Sequence, residues 1–465
     1  MAASTAPRRS LFRHPNYLKL WTAATVSLFG TQVSQIAIPF IAAVLLKASP
    51  GEVGLLTTIE FLPFLLFTLP AGVWVDRFPK RRILILGDLG RALMLVSIPI
   101  AFAAGALTIW QLYVVGFVNG IMTVFFDVAD QSYLPTILER DELVEGNAKL
   151  QISQSSALIL GQPFGGGIVA LASAPVAILV DAASYLGSAG LILSIRERLR
   201  ARKAATASGA TMSAAAAEPG TGPTTEASVI AESGAITADV ATSSDPVTPG
   251  GGMRSQIMDG LRFIIGHEYL GHIAATTATA NLFGNIGLAI FPVFAYRELG
   301  MSPAAVGTVG GLGGAGVLIG ALIASRVQAR LGIGRTIVLT AALFGPLNLL
   351  LPLATPQLAI FFLSAAFFAE GILNVTYNVS QVSLRQAITP EHFLGRMNAT
   401  MRFLVWGTIP IGSLIGAGLS EVVGVRTTIW ISAILGFLPF LAVFFSKVRT
   451  IQTIPTDDPD ATVAR

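Results

Sequence analysis

The sequence predicts an all-α integral membrane protein whose twelve transmembrane helices form two pseudo-symmetric bundles of six. Three observations support this prediction. The 465 residues are 53% hydrophobic and only 12% charged, whereas soluble chains carry about 25% charged residues. Apolar runs of about 20 residues, the length that crosses a bilayer, recur along the chain. The second half also repeats the first at a fixed separation.

Twelve apolar runs are long enough to cross a membrane. The basic N-terminus precedes a run that is too long for a signal-peptide core, so the first helix is expected to be retained. The predicted spans are 18–46, 53–75, 83–104, 108–134, 149–172, 175–195, 270–296, 303–325, 334–353, 356–384, 397–421 and 425–446.

Lys and Arg concentrate in alternate connections between the spans. The poor connections hold little more than Lys47, Arg297 and Arg426. Basic loops stay in the cytoplasm, so we expect both termini to be cytoplasmic and the protein to lie in a cell membrane. The basic connections contain Arg77, Lys80, Arg81, Arg82, Arg140, Lys149, Arg196, Arg326, Arg330, Arg335, Arg385 and Arg396.

Composition divides the chain into five predicted parts. Residues 204–252 are rich in Ala, Ser, Thr, Gly and Pro and contain no aromatic residue, which favours a flexible tether over a regulatory segment. Ile257, Leu261, Ile264 and Ile265 then share one side of a stretch that predicts an amphipathic helix along the cytoplasmic interface. The parts are a tail (1–17), a six-helix bundle (18–195), a linker (196–254), the amphipathic helix with the second bundle (255–447) and a tail (448–465).

The chain repeats itself at a separation of 251 residues. Residues 126–148 align without gaps to residues 377–399, and nine identical pairs share one register, from Val128 with Val379 to Gly167 with Gly418. Parallel repeats of this kind are typical of transporters that alternate access to a site between their halves. Duplication can also be purely architectural, so the repeat supports the fold more strongly than the activity.

Polar residues recur at helical spacing in four spans, on matching faces of the two halves. A polar group that faces lipid costs several kcal/mol, so we expect the stripes to face one shared, hydrated cavity. Hydrogen bonds between helices are the alternative explanation. The predicted cavity residues are Thr31, Ser34 and Gln35 in the first span, Asn119, Thr123 and Phe126 in the fourth, Thr277, Asn281 and Asn285 in the seventh, and Asn374, Tyr377 and Gln381 in the tenth.

Ionisable residues inside the spans are functional candidates by default. Glu60 and Glu370 lie near the middle of their spans, where a carboxyl could bind and release a proton as water access changes sides. We therefore predict Glu60, Glu370 and, on the same face as Asn119, Asp130 as proton-coupling candidates. A neutral carboxylic acid hydrogen-bonded in place is the alternative. Asp181, with neighbouring Ser and Tyr residues, is expected to serve local packing.

The segment GVWVDRFPKRR (72–82) resembles the loop motif of the major facilitator superfamily, although Pro79 replaces its second glycine. The resemblance implies that Asp76 faces the N-terminal dipole of the eleventh helix and that Lys80 pairs with Asp127. These contacts would latch the halves together in the outward-facing state. The predicted cytoplasmic gate network comprises Gly72, Asp76, Arg77, Lys80, Arg81, Asp88, Arg91 and Asp127.

The segment GQPFGGG (161–167) resembles the fifth-helix motif of drug-exporting antiporters, with Gln162 where that motif has proline. Its small residues, Gly161, Pro163, Gly165 and Gly166, imply close helix packing. The segments IEFLPFLLFTLPAGVWVDR, VFFDVADQSYLP and GRMNATMRFLVWGT resemble the subgroup of macrolide efflux pumps and the enterobactin exporter. That subgroup often has an Asp in the first helix where this chain has Thr31, so a coupling role for that position does not carry over.

The resemblance implies a secondary transporter in the cell membrane of a bacterium that exports amphipathic small molecules, drug-like or siderophore-like, by proton antiport. Nearby Phe29, Phe64, Phe126 and Tyr377 suit a hydrophobic organic compound better than a sugar. A fold fixes neither direction nor substrate, so an importer or facilitator of a small nutrient and, more remotely, a non-transporting membrane sensor are the alternatives.

An integral-membrane enzyme is not supported by the sequence. It contains no cysteine, and GGLGGAG (310–316) lacks the Lys of a phosphate-binding loop. We expect no metal and no cofactor, with the proton gradient as the energy source. The expected partners are the substrate and the lipid bilayer, not nucleic acid, and the chain is expected to act as a monomer.

Overall fold

The structure is a computed structural model that describes residues 11–138, 142–195 and 261–452. Within these ranges the chain is helical without strands, and twelve helices are long and apolar enough to cross a membrane, as predicted. They are α1 (Pro15–Leu45), α2 (Pro50–Arg77), α3 (Lys80–Ala103), α4 (Ile109–Ile137), α5 (Glu145–Ala172), α6 (Ala174–Leu193), α7 (Leu270–Glu298), α8 (Pro303–Leu331), α9 (Ile333–Leu353), α10 (Ala359–Ile388), α11 (Glu391–Val423) and α12 (Val425–Phe444).

The predicted linker (196–254) and parts of both predicted tails lie outside the described residues. Of the predicted amphipathic helix, residues 261–266 are described and are helical. Ile264 is buried there and Ile265 is 70% exposed. Ile257 lies outside the described part.

The internal repeat is visible in the backbone. The last residue of α4, Ile137, and the last residue of α10, Ile388, are 251 positions apart. The α5–α6 junction turns at Ser173 with φ of 76°, and the α11–α12 junction turns at Gly424 with φ of 85°, again 251 positions apart. Because a positive φ is uncommon for a residue other than glycine, its recurrence at Ser173 shows that the two halves share the same tight turn.

Helix α5 is wedged between α1 and α8 by the small residues of the GQPFGGG segment. A Cβ placed on Gly165 would lie 2.9 Å from the Gln32 carbonyl oxygen of α1. A Cβ on Gly314 of α8 would lie 2.9 Å from the carbonyl of Leu158 in α5. Gly161 packs on Gln32 of α1, whereas Pro163 and Gly166 pack on α8. The small residues therefore let three helices touch backbone to backbone.

The halves contact each other at one end of the bundle, where α1 ends and α2 begins. The Arg297 guanidinium of the second half donates to the Ala43 carbonyl oxygen of the first at 2.6 Å. The Gly51 N–H donates to a Glu421 carboxylate oxygen at 2.7 Å. We call this end the closed end, and we call the other end, where α2 ends at Arg77 and α10 has Arg385 in its last turn, the basic end.

A histidine stands just before the first helix of each half at the basic end, and each accepts a hydrogen bond from a backbone N–H of the chain that follows it. The His14 Nδ1 atom accepts a hydrogen bond from the Tyr17 N–H at 3.1 Å, and the His267 Nδ1 atom accepts one from the Tyr269 N–H at 3.2 Å. The two histidines are 253 residues apart, as are the buried Leu11 and Ile264 that precede them. Burial lowers the pKa of the His267 imidazole, which favours the neutral form that can accept at Nδ1.

Candidate functional site

A cavity of about 1570 Å³ lies between the halves. On the first half, its deepest lining residues are Thr31, Phe64 and Asn119. The lining extends to the basic end in both halves, where Asn147 of α5 and Arg385 of α10 face it. With the contacts at the closed end intact, the cavity opens at the basic end.

Most of the predicted cavity residues come together in this space. Ser34 does not, because it is buried and its hydroxyl donates to an Asp181 carboxylate oxygen at 2.5 Å. Gln35 is exposed and lies outside the cavity lining. Asp181 also accepts a hydrogen bond from Ser184, which fits the packing role expected of it. The predicted residues that line the cavity are Thr31, Asn119, Thr123, Phe126, Thr277, Asn281, Asn285, Asn374, Tyr377 and Gln381.

Helices α2, α9, α11 and α12 add lining residues that were not singled out as cavity residues. Phe64 and Trp406 pack across the two halves with ring centroids 5.0 Å apart. Asn348 of α9 and Ser432 of α12 also line the cavity. Thr340 precedes Asn348 by eight residues and Thr428 precedes Ser432 by four, so each helix carries a short polar row at helical spacing that could have predicted these positions.

The two mid-span glutamates occupy different environments. Glu370 lines the cavity, and no hydrogen bond or ion pair joins its carboxylate to another residue in the described part of the chain. Glu60 is absent from the lining. It lies between α2 and α4, where a Cβ on Gly116 would be 2.9 Å from the Glu60 Cγ. In this conformation, therefore, Glu370 and not Glu60 is in contact with the space that opens at the basic end.

A buried ion pair stands on the first-half wall. The Arg91 guanidinium donates to an Asp88 carboxylate oxygen at 2.5 Å, and Asp88 is fully buried. The guanidinium carbon lies 4.1 Å from the centre of the Phe126 ring and 4.2 Å from that of Tyr185. Both the charge and the planar face of Arg91 are thus already occupied.

The acidic residues of α4 have neutral counterparts in α10. Asp127 and Asp130 line the cavity, and the residues 251 positions later are Asn378 and Gln381. The Gln381 amide nitrogen donates to the Asn378 side-chain oxygen at 2.7 Å. Conversely, Asn119 of α4 corresponds to Glu370 of α10. The two walls therefore share a shape and differ in charge.

The predicted gate network is only partly described. The side chain of Asp76 lies outside the described residues, and Arg77 is exposed. Lys80 and Asp127 both line the cavity. Arg81 donates to the carbonyl oxygens of Ile192 at 3.2 Å and of Leu193. Gly72 has open space where a Cβ would stand. The latch between the halves stays a prediction, whereas Arg81 ties α3 to α6 within one half.

Twelve membrane-spanning helices in two repeated halves, with a cavity between them open at one end, define a membrane transporter. The sequence model of the Major Facilitator Superfamily matches residues 20–263 and 270–462. The chain therefore belongs to the Major Facilitator Superfamily, a family of transporters and not of enzymes.

Several known proteins resemble the chain. It is 24% identical over 455 residues to the multidrug efflux pump Tap of Mycolicibacterium fortuitum, covering 95% of this chain and 98% of Tap. It is 27% identical over 185 residues to the uncharacterized MFS-type transporter YfiS of Bacillus subtilis, covering 40% of this chain and 43% of YfiS. It is also 27% identical to macrolide efflux protein A of Streptococcus pyogenes, over 31% of this chain and 35% of that protein.

Among solved structures, a bacterial homologue of the iron transporter ferroportin in its inward-facing state superposes with a TM-score of 0.65. The sequences are 14% identical, and the match covers 94% of this chain and 99% of the homologue. For a bacterial ferroportin homologue in the outward-facing state with soaked iron, also 14% identical, the TM-score is 0.52 over 92% and 98% of the two chains. These likenesses show the shared fold.

Proposed function

We propose that the protein is a proton-driven exporter of amphipathic small molecules from the bacterial cytoplasm. The observation that supports this most directly is the carboxyl of Glu370, which has no partner among the described residues and lies in a large cavity between two repeated halves. A secondary exporter needs one group that can hold either a proton or a substrate contact, and this carboxyl meets that need. The full-length likeness to an efflux pump supports the direction of transport.

The conformation corresponds to the inward-open state if the basic end faces the cytoplasm. The distribution of Lys and Arg supports that orientation, and it also puts both termini in the cytoplasm. The higher TM-score against the inward-facing ferroportin homologue agrees with this state. To open outward, the protein would break the Arg297–Ala43 and Gly51–Glu421 hydrogen bonds and close the basic end, where Asp76, Lys80 and Asp127 are the implied latch.

The substrate would enter the cavity from the basic end. The rings of Phe291 and Phe367, with centroids 5.3 Å apart, and the Phe64–Trp406 pair offer apolar surface. Drug-sized ligands occupy pockets of about 300–1,000 Å³, and the cavity exceeds this range. Space, aromatic rings and polar amides together suit amphipathic organic compounds.

Coupling would take place at Glu370. In the inward-open state the carboxyl loses its proton to the cytoplasm, and the resulting carboxylate binds the substrate. In the outward-open state a proton from outside displaces the substrate, and the neutral carboxyl returns inward. Glu60 lies against α4 outside the lining, so it would meet water only when the closed end opens, and Asp130 stands nearer the basic end as a relay candidate.

The test uses purified protein in liposomes, an imposed pH gradient and a fluorescent amphipathic dye. The wild-type protein should move dye against its gradient while protons move the opposite way. Glu370→Gln should abolish this proton-driven movement and weaken dye exchange without a pH gradient, because an amide can neither release a proton nor replace the carboxylate contact with the substrate. Glu298→Gln, at the closed end, is the matched control.

Full proton-driven transport by Glu370→Gln would overturn the assignment of Glu370 as the coupling residue. Loss of coupling in Glu60→Gln alone would assign that role to Glu60 of α2. Proton-driven movement of dye in the import direction would favour the importer.

A further inference from the structure

We propose that the deep part of the cavity recognises a protonated primary or secondary amine through hydrogen bonds that the protein accepts. This inference rests on the proposed transport function and specifies the polar group of its substrate. It follows from where the protons of the lining side chains go, from the carboxyl of Glu370 and from the placement of the lining cations.

Each hydroxyl group in the described part of the cavity lining already donates its proton to another group of the protein. Thr31 donates to the Ser27 carbonyl oxygen and Thr277 donates to that of Ile273, each at 2.9 Å. A hydroxyl has one proton, so Tyr185 must be the donor in its 2.9 Å bond to Thr31. By the same count, Tyr377 donates to Thr277 at 2.8 Å. The other lining hydroxyls donate to backbone carbonyls as well: Ser27, Thr68, Thr123, Ser132, Thr136 and Ser432.

Three lining amides on α7 and α9 of the second half are oriented in the same sense. The Asn281 side chain donates to the Thr277 carbonyl oxygen at 2.9 Å, Asn285 to that of Asn281 at 2.8 Å, and Asn348 to that of Phe344 at 3.0 Å. A backbone carbonyl only accepts, so the amide nitrogen must be the atom that meets it. Each amide therefore keeps an oxygen with two lone pairs and only one N–H for a ligand.

The charges sharpen this pattern. Of the described cations in the lining, Lys80 begins α3 and Arg385 lies in the last turn of α10, so both stand at the basic end. Arg91 is occupied by Asp88 and covered by two rings. The α7 and α9 part of the second-half wall therefore offers more acceptors than donors, and it lies in the same cavity as the Glu370 carboxyl. A ligand that fits it brings positive charge and N–H donors together.

This combination excludes other ligand chemistries from the deep site. A quaternary ammonium has positive charge but no hydrogen-bond donor, and a neutral polyol has donors but no positive charge. A carboxylate has neither positive charge nor a donor. A protonated primary or secondary amine has both, and the aromatic rings of Phe291 and Phe367 can cover its apolar body.

The experiment compares 4-phenylbutylamine with its N,N,N-trimethyl analogue, which has the same body and charge but no N–H. Binding to the purified full-length chain in lipid nanodiscs is measured by calorimetry without a pH gradient. We expect the primary amine to bind at least about tenfold more tightly, since hydrogen bonds to charged groups are among the stronger ones. Equal binding, or tighter binding of the trimethyl compound, would overturn the inference.

Variants identify the acceptors. Asn281→Leu and Asn285→Leu should lower the ratio of the two affinities and leave binding of the trimethyl compound nearly unchanged, which also shows that the variants are folded. Thr279→Val is the matched control, because Thr279 lies on the same helix, donates to the Ala275 carbonyl oxygen and is outside the lining. An unchanged ratio in both Asn variants would contradict the assignment of these acceptors. The binding experiment applies no pH gradient, so equal binding of the two amines would not contradict proton coupling at Glu370. Conversely, a transport experiment without proton coupling would not contradict amine recognition.

Discussion

Gly307 of α8 offers a direct test of how the closed end is held. A Cβ at this position would lie 3.1 Å from the carbonyl carbon of Gln162 and 3.2 Å from the Cα of Gly166, and would overlap the Gln162 carbonyl oxygen. All three are backbone atoms of α5, which belongs to the other half. Gly307→Ala can therefore be accommodated only if α5 and α8 move apart.

The size of the effect follows from this contact. An extra methyl group in a well-packed interface costs about 1–3 kcal/mol. The cost falls on the conformation in which α5 and α8 touch near the closed end, and it is relieved when that end opens. Gly307→Ala should therefore shift the equilibrium toward outward-open conformations by about 5-fold to 150-fold.

The assay exploits the absence of cysteine in the chain. Spin labels on Ala106→Cys and Gln357→Cys would sit in the α3–α4 and α9–α10 connections at the closed end, at exposed positions 251 residues apart. Pulsed electron–electron resonance should show a longer-distance population in Gly307→Ala. Gly187→Ala, at an exposed helix position where an added Cβ would meet open space, should match the parent. An unchanged distance distribution in Gly307→Ala would refute the reasoning.

Two further predictions concern stability. Asp88→Asn should lower the free energy of unfolding by about 3–5 kcal/mol, because Arg91 stays buried without its anion, and adding Arg91→Gln should recover much of the loss in thermal unfolding; an additive double variant would contradict this. The pKa of His267 is lowered in the folded state. Its contribution to folding stability is therefore present above the ordinary histidine pKa of about 6.5 and is lost as the pH falls below that value. His267→Asn keeps an acceptor oxygen but has no group that titrates in this range. It should therefore flatten the fall in thermal stability between about pH 6.5 and 5, and an unchanged slope would argue against a role of the His267 acceptor.

The sequence predicted the fold because a bilayer imposes a length and a polarity on each span. The stripes in α1, α4, α7 and α10 predicted most of the cavity for a related reason, since a row of polar residues marks the face of the helix that is turned away from lipid. Asn348 and Ser432 lie on shorter rows, with Thr340 and Thr428, whose hydroxyls donate to carbonyl oxygens of their own helices and so need no cavity. The sequence places Glu60 and Glu370 at a similar depth in the membrane. It does not show which way each side chain faces, and in the structure Glu60 packs against Gly116 of α4 instead of facing the cavity.

The correspondence between His14 and His267 was hidden by a change of register. The repeat between α4 and α10 has a separation of 251 residues, but His14 and His267 are 253 residues apart. An ungapped comparison at one separation aligns only part of each half. In the structure, the His14 and His267 rings each accept a hydrogen bond from a backbone N–H, that of Tyr17 and that of Tyr269. This shared contact reveals the equivalence.

The most direct test of the central claim is the side from which the cavity can be reached. Asn281→Cys and Asn374→Cys would be treated with a membrane-impermeant maleimide in vesicles of known sidedness, with Phe78→Cys marking the basic end and Thr279→Cys as a control outside the lining. We predict that both cavity cysteines react from the same side as Phe78→Cys and that a bound amine slows the reaction. Cavity cysteines that react from neither side, or only from the side opposite Phe78→Cys, would contradict it.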